Sequence, residues 1–167
     1  MAGEFSFDVV SQIDQQELTN ALDQAHRELV QRYDLKNSNS SIVRDGNTIT
    51  LASASEMTLD SVRDVLLQRA VKRGLSPKVF DYGQVQEAAK GTVRQSVALR
   101  QGLSQDLARE ITKIVRDKLP KLKSQVQGDA VRVTGKSKDD LQQAIKVLRA
   151  EEQARNWSVP LQFINYR

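Results

Sequence analysis

The sequence predicts an α+β protein: a tandem of two ferredoxin-like (βαββαβ) domains, each a four-stranded antiparallel sheet with two helices on one face. Three observations lead there. Set Gly46 on Gly128, and "GNTITLASASEMTLDSVRDVLL" matches "GDAVRVTGKSKDDLQQAIKVLR" without a gap, so the chain is a duplication. Both copies pass from period-two alternation to a helical stripe at the same point. Each half then reads strand, helix, strand, strand, helix, strand.

In the first half "FSFDVVS" alternates as a strand, and Asp14 with Glu17 has capping-box spacing at a helix start. Leu18, Leu22, Ala25, Leu29 and Tyr33 form that helix's apolar stripe. "SSIVRDGNTITLAS" is a hairpin turning at Asp45-Gly46-Asn47. Ser55 caps a second helix with Leu59, Val62, Val65 and Leu66 inward, and "KVFDYG" ends the half as a strand. In the second half "TVRQSVALRQ" is the strand, and a helix starts near Ser104 with Leu107, Ile111, Ile114 and Val115 inward. "LKSQVQGDAVRVTG" turns at Gly128-Asp129; Ser137 caps a helix with Leu141, Ala144, Val147 and Leu148 inward; "PLQFINYR" is the last strand. The expected domains are residues 1–83 and 84–167, joined through Gly83 to Gly91. An exchange of terminal strands between the two sheets stays open.

The 167 residues are 39% hydrophobic, enough for packed cores. The chain has no cysteine, which excludes disulfides, thiolate metal sites and a cysteine nucleophile. No basic-then-apolar leader and no membrane-length apolar run are apparent, so a soluble cytoplasmic protein is expected. The net charge of +4 divides unevenly: residues 1–83 hold 9 Lys/Arg and 12 Asp/Glu, residues 84–167 hold 16 and 9. A net of −3 beside a net of +7 points to a polyanion at the second domain.

"GKS" at Gly135–Ser137 invites comparison with a P-loop. The motif needs a glycine five residues before Gly135, where Ala130 stands, and a parallel strand before it, where a hairpin arm is expected. It is not a P-loop. Ser137 with Asp140 three residues on is a helix cap, with Gly135 permitting a sharp turn. Lys136 beside the free N–H groups of the helix start is a candidate anion contact.

Strand alternation turns Val93, Val97 and Leu99 inward and Arg94, Ser96 and Arg100 outward; Val126, Val131 and Val133 turn inward, with Gln125, Gln127, Arg132 and Thr134 outward. The second sheet is therefore expected to show Arg94, Arg100 and Arg132 together as phosphate contacts. The first sheet shows Ser6, Asp8, Thr48 and Thr50 and no cation. The central strands lack the exposed aromatics of an RNA-recognition sheet, while Phe5, Phe7 and Phe163 read as core. Tyr166 is the candidate for stacking on a base. The single histidine, His26, reads as helix surface, and the acids lack metal-ligand spacing, so neither catalysis nor a cofactor or metal is expected.

"FSFDVVSQID", "NALDQAHRELVQRYDLK", "QGDAVRVTGKSKDDLQ" and "PLQFINYR", taken together and in this order, resemble the YajQ family of bacterial nucleotide-binding proteins. The resemblance runs from about Phe5 to Arg167. It implies tandem ferredoxin-like domains and nucleotide binding, with cyclic di-GMP a ligand of some members and a link to RNA or transcription; it supplies no site residues. The expectation is a non-enzymatic protein that binds a nucleotide (cyclic di-GMP, GTP or ATP) through its basic second domain. One rival is an RNA-backbone binder acting in transcription or on the ribosome. The other is a protein–protein adaptor that docks a basic partner on its acidic first domain.

Overall fold

The computed structural model describes residues 4–167. Along the chain run β1 (Phe5–Val10), α1 (Gln15–Gln31), β2 (Ser41–Asp45), β3 (Thr48–Ser53), α2 (Glu56–Lys72) and β4 (Phe80–Glu87). The same succession follows again as β5 (Val93–Leu99), α3 (Gln105–Lys118), β6 (Lys123–Gln127), β7 (Ala130–Gly135), α4 (Lys138–Arg155) and β8 (Gln162–Ile164). Each helix begins at the expected cap. Asp14 accepts from the amides of Gln16 and Glu17, and Ser55, Ser104 and Ser137 accept from Thr58, Leu107 and Asp140 at 3.1–3.2 Å. Such a cap contributes about 1 kcal/mol. Tyr33 departs from the expected stripe: α1 ends at Gln31, and Tyr33 lies in a 3₁₀ turn with 94% of its surface exposed.

Two four-stranded sheets form, ordered β6-β7-β1-β8 and β2-β3-β5-β4, with every pair antiparallel. The first strand of each half has crossed into the other half's sheet. β1 lies between β7 and β8, and β5 lies between β3 and β4. The chain accordingly divides into Ile13–Arg100 and a second unit that joins residues up to Gln12 with Gln101–Arg167. The expected boundary at Gly83 is thereby corrected. Gly83 to Gly91 is no join but the second half of β4 and the turn into β5, inside one unit.

Residue chemistry accounts for the exchange. Phe7 faces Val133 in one sheet, and Gln95 faces Leu51 at the equivalent place in the other. Gln95 is buried among apolar neighbours, yet both of its polar atoms have a partner: its amide donates to the Gly83 carbonyl at 2.6 Å, and its oxygen accepts from Arg63 of α2 at 2.8 Å. It thus holds the bulge in β4 where the register slips between Tyr82 and Val85. Phe7 in that place would leave the Gly83 carbonyl and Arg63 without this partner. Gln95 in place of Phe7, whose ring meets Phe163 edge-on at 5.6 Å, would be a buried amide in an apolar site.

Each unit has its own core. One core is built from residues between Ile13 and Leu99, and the other from Phe7, Val9 and residues between Leu103 and Phe163. Val126 was expected inward but stays 43% exposed, because β6 is an edge strand. The exchange also redistributes charge. Ile13–Arg100 carries 12 Lys/Arg and 11 Asp/Glu, and the remainder carries 13 and 10, so −3 and +7 become +1 and +3. An acidic first domain does not exist as a folded unit.

Gly135 ends β7 with ordinary backbone angles, so it is not there to make a left-handed turn. It is buried, and a Cβ on it would overlap Leu122 Cδ2 and come within 3.5 Å of Leu141 Cδ2. The glycine of "GKS" is a packing residue. Gly135→Ala is expected to lower stability by about 1–3 kcal/mol through this overpacking, with urea unfolding as the check.

Candidate functional site

The strand exchange separates the expected arginines. Arg94 and Arg100 follow β5 into the β2-β3-β5-β4 sheet and its unit, whereas Arg132, Lys136 and Tyr166 belong to the other. Arg94 points outward as expected, between Ala52 and Gln86, and is in no ion pair among the described residues. Arg100 pairs with Asp81 at 3.1 Å. Arg132 is held in a fork by Asp8, at 2.9 Å from Nε and 3.3 Å from Nη2. The three do not belong to one sheet.

Asp8 is 6% exposed, and it accepts a further hydrogen bond from Asn165 at 2.9 Å. The hydrogen bond from Arg132 holds its carboxyl below the ordinary value of 3.8, against the opposing effect of burial. The pair therefore stabilises the fold fully above the ordinary carboxylate range, and the contribution is lost as pH falls through the lowered folded value. Asp8→Asn is expected to flatten the loss of Tm between neutral pH and pH ~3, measured by thermal unfolding across that range.

Asn165 has a second role. Asp8 faces Ile164, while Ser6 exchanges both backbone hydrogen bonds with Arg167, at 3.0 and 3.2 Å. One extra residue is thus accommodated after β8, at Asn165, whose φ of 57° is a left-handed conformation that asparagine tolerates. Without it Tyr166 would stand opposite Ser6, on the face away from the helices. Instead its ring lies 6.2 Å from that of Phe7, a helix-side residue, and remains 60% exposed.

Tyr166 so placed closes one side of a cleft of about 320 Å³, lined by Phe5, Ser6, Lys138, Leu141, Gln142, Tyr166 and Arg167. Phe5 and Ser6 begin β1, Tyr166 and Arg167 follow β8, and Lys138, Leu141 and Gln142 come from the first turns of α4. The ammonium of Lys138 stands 5.4 Å from the centre of the Phe5 ring, a cation–π contact. Two aromatic rings, the Lys138 ammonium and the Gln142 amide meet in one concavity; Arg167, paired with Ser6, turns its charge to the other face of the sheet, toward Asp8. Lys136 is exposed two residues before Lys138 but is not part of the lining. Of the residues expected from sequence only Tyr166 lines this cleft. Lys138 stood beside Lys136 at the helix start as a possible anion contact, while Phe5 and Gln142 had no local signal.

A family model described as "Nucleotide-binding protein YajQ-like" matches residues 5–167. The chain belongs to the YajQ family. Its relatives include proteins named "Nucleotide-binding protein" from Prochlorococcus marinus, 52% identical, Trichodesmium erythraeum, 50%, and a Picosynechococcus strain, 49%; each alignment spans 167 residues and all of both chains. No helix among the described residues of this YajQ-family chain is long and apolar enough to cross a membrane.

The duplication supplies an internal comparison. The registers that set Phe5 against Gly135 and Val93 against Ser53 make Val93 the counterpart of Phe5, and the repeat makes Glu56 and Asp60 the counterparts of Lys138 and Gln142. The same place in the other unit of the YajQ fold thus has an aliphatic residue for an aromatic one and two carboxylates for a cation and an amide. The chemistry of the cleft belongs to one copy only.

Proposed function

We propose that this chain is a cytoplasmic nucleotide-binding protein that holds its ligand, without chemical conversion, in the cleft between β1, α4 and the end of β8. The observation that carries the proposal is the meeting of two aromatic side chains with the Lys138 ammonium in one concavity. Tyr166 and Phe5 offer ring faces to a base, worth about 1–3 kcal/mol per stacked base. Lys138 suits a phosphate, with Lys136 a further cation near the helix start. Gln142 can donate and accept at a base edge. The names of the family and of its relatives agree with this reading. Cyclic di-GMP, GTP and ATP are the candidate ligands, and calorimetry against each tests the proposal: saturable binding of at least one supports it, and binding of none refutes it.

A second reading, binding of an RNA backbone, is favoured by a separate observation. Lys113, Arg116, Lys121 and Lys123 are all exposed on α3, β6 and the loop between them. Binding there would fall steeply with salt and ignore base identity. The adaptor reading loses the charge contrast that motivated it.

A further inference from the structure

We infer that the cleft is one end of a longer track along α4, and that its ligand is a linear nucleotide chain, a short stretch of single-stranded nucleic acid. The inference rests on the nucleotide reading above and names the class of that ligand. Lys138, Gln142, Lys146 and Arg149 stand at i, i+4, i+8 and i+11 in α4, so they share one face of the helix. At a rise of about 1.5 Å per residue the stripe runs for about 16 Å, three turns. The cleft at its first end, about 320 Å³, lies at the small end of the ~300–1,000 Å³ range of ligand pockets, room for one nucleotide unit.

Both ends of the stripe overlook the same edge of the sheet. Lys138 stands over the Phe5 ring of β1, and the guanidinium of Arg149 lies 4.8 Å from the centre of the Phe163 ring of β8. Phe163 is buried but Arg149 is exposed, so a base can stack on the outer side of the guanidinium. The ion pairs that α4 makes among the described residues use Glu151 and Arg155 and lie toward α3. Lys138, Lys146 and Arg149 are left for an external anion. Of the nearby carboxylates, Asp140 lines the separate concavity of Lys118, Leu119 and Lys121, and Glu152 accepts from the Leu161 amide at 2.8 Å. Asp139 alone stands at the outer margin of the stripe, against three cations.

The other copy of the fold shows that the stripe is no requirement of the helix. At the four equivalent positions α2 carries Glu56, Asp60, Asp64 and Leu67. Three carboxylates there would repel a phosphodiester chain that three cations here attract. Cations that follow a backbone, beside rings and a guanidinium that accept bases, are the means by which single strands are held with little regard to sequence.

The test is calorimetry of the full chain with each of the four nucleoside monophosphates and with random-sequence single-stranded RNA of two, four and six nucleotides, repeated over a range of salt. The tetranucleotide is expected to bind about tenfold tighter than the best monophosphate. Lys146→Gln/Arg149→Gln should cancel that gain and make the slope of log K against log salt shallower by about 1.4. Lys146→Glu alone, at an exposed position away from the Phe163 contact, should weaken the tetranucleotide by about threefold or more. A gain with length below about threefold, or one that survives the double variant, overturns the inference and leaves the mononucleotide cleft in place. Absence of binding at every RNA length also overturns it, and the nucleotide reading then stands or falls on cyclic di-GMP, GTP and ATP.

Discussion

The fragment Ile13–Arg100 will fold by itself, and the fragment ending at Gly83 will not. The first contains all four strands of one sheet, both of its helices and the whole of its core, in one unbroken segment. The second holds β1, β2, β3 and only the first half of β4, and lacks β5, the strand that stands between β3 and β4. Losing it removes Val93, Val97 and Leu99 from the core. At about 1.5–3 kcal/mol for each buried aliphatic side chain, that loss is comparable with the ~5–15 kcal/mol that holds a whole domain together. β1 cannot take the place of β5, because Phe7 would fall where Gln95 satisfies Gly83 and Arg63. Circular dichroism and urea unfolding decide the matter: a cooperative transition is expected for Ile13–Arg100 and none for residues 1–83.

Replacing Tyr166 and Lys138 together by alanine is expected to weaken nucleotide binding by about fiftyfold or more, combining a lost stack of about 1–3 kcal/mol with a lost charged contact of about 1.5–3 kcal/mol. The fold should be untouched, since Tyr166 is 60% exposed and Lys138 is exposed on the first turn of α4. Equal Tm values for the variant and the parent chain would confirm that the loss is local. The alanines also separate this site from the arginines of the other sheet. Arg94→Ala, in the other unit, should bind as the parent does.

Local features of the fold were legible because they depend on short-range rules. Ser55 and Ser137 announce their helices, Gly46 and Gly128 their hairpins, and the repeat between them fixes the element order. The partner of each first strand was not legible from alternation, since "FSFDVV" and "VRQSVAL" alternate equally well. What distinguishes them is the single inward Gln95, and its meaning depends on a bulge in β4 that no local pattern announces. Placing β5 in the wrong sheet then put Arg94 and Arg100 beside Arg132, and exaggerated the charge contrast between halves.

The cleft was half legible for a similar reason. Tyr166 stood out as the aromatic of the last strand, but its orientation depends on the extra residue at Asn165, a matter of register against β1. Phe5 shares its face with Phe7 and Val9 and so reads as core; only at the sheet's end, over the first turn of α4, does that face open into a cavity. Arg132, by contrast, looked like a free cation. Its engagement with Asp8 requires β1 and β7 to be neighbours, and the half-by-half reading kept them apart.

One measurement bears most directly on the claim that a nucleotide binds in the cleft of Phe5, Lys138 and Tyr166. It is calorimetry with the nucleotide that the parent chain binds best, repeated on Tyr166→Ala/Lys138→Ala and on Arg94→Ala/Arg100→Ala. The cleft variant should lose the binding heat, and the arginine variant should keep the parent affinity. Parent-like binding by the cleft variant, with loss confined to the arginine variant, would contradict the assignment and return the site to the face of the β2-β3-β5-β4 sheet.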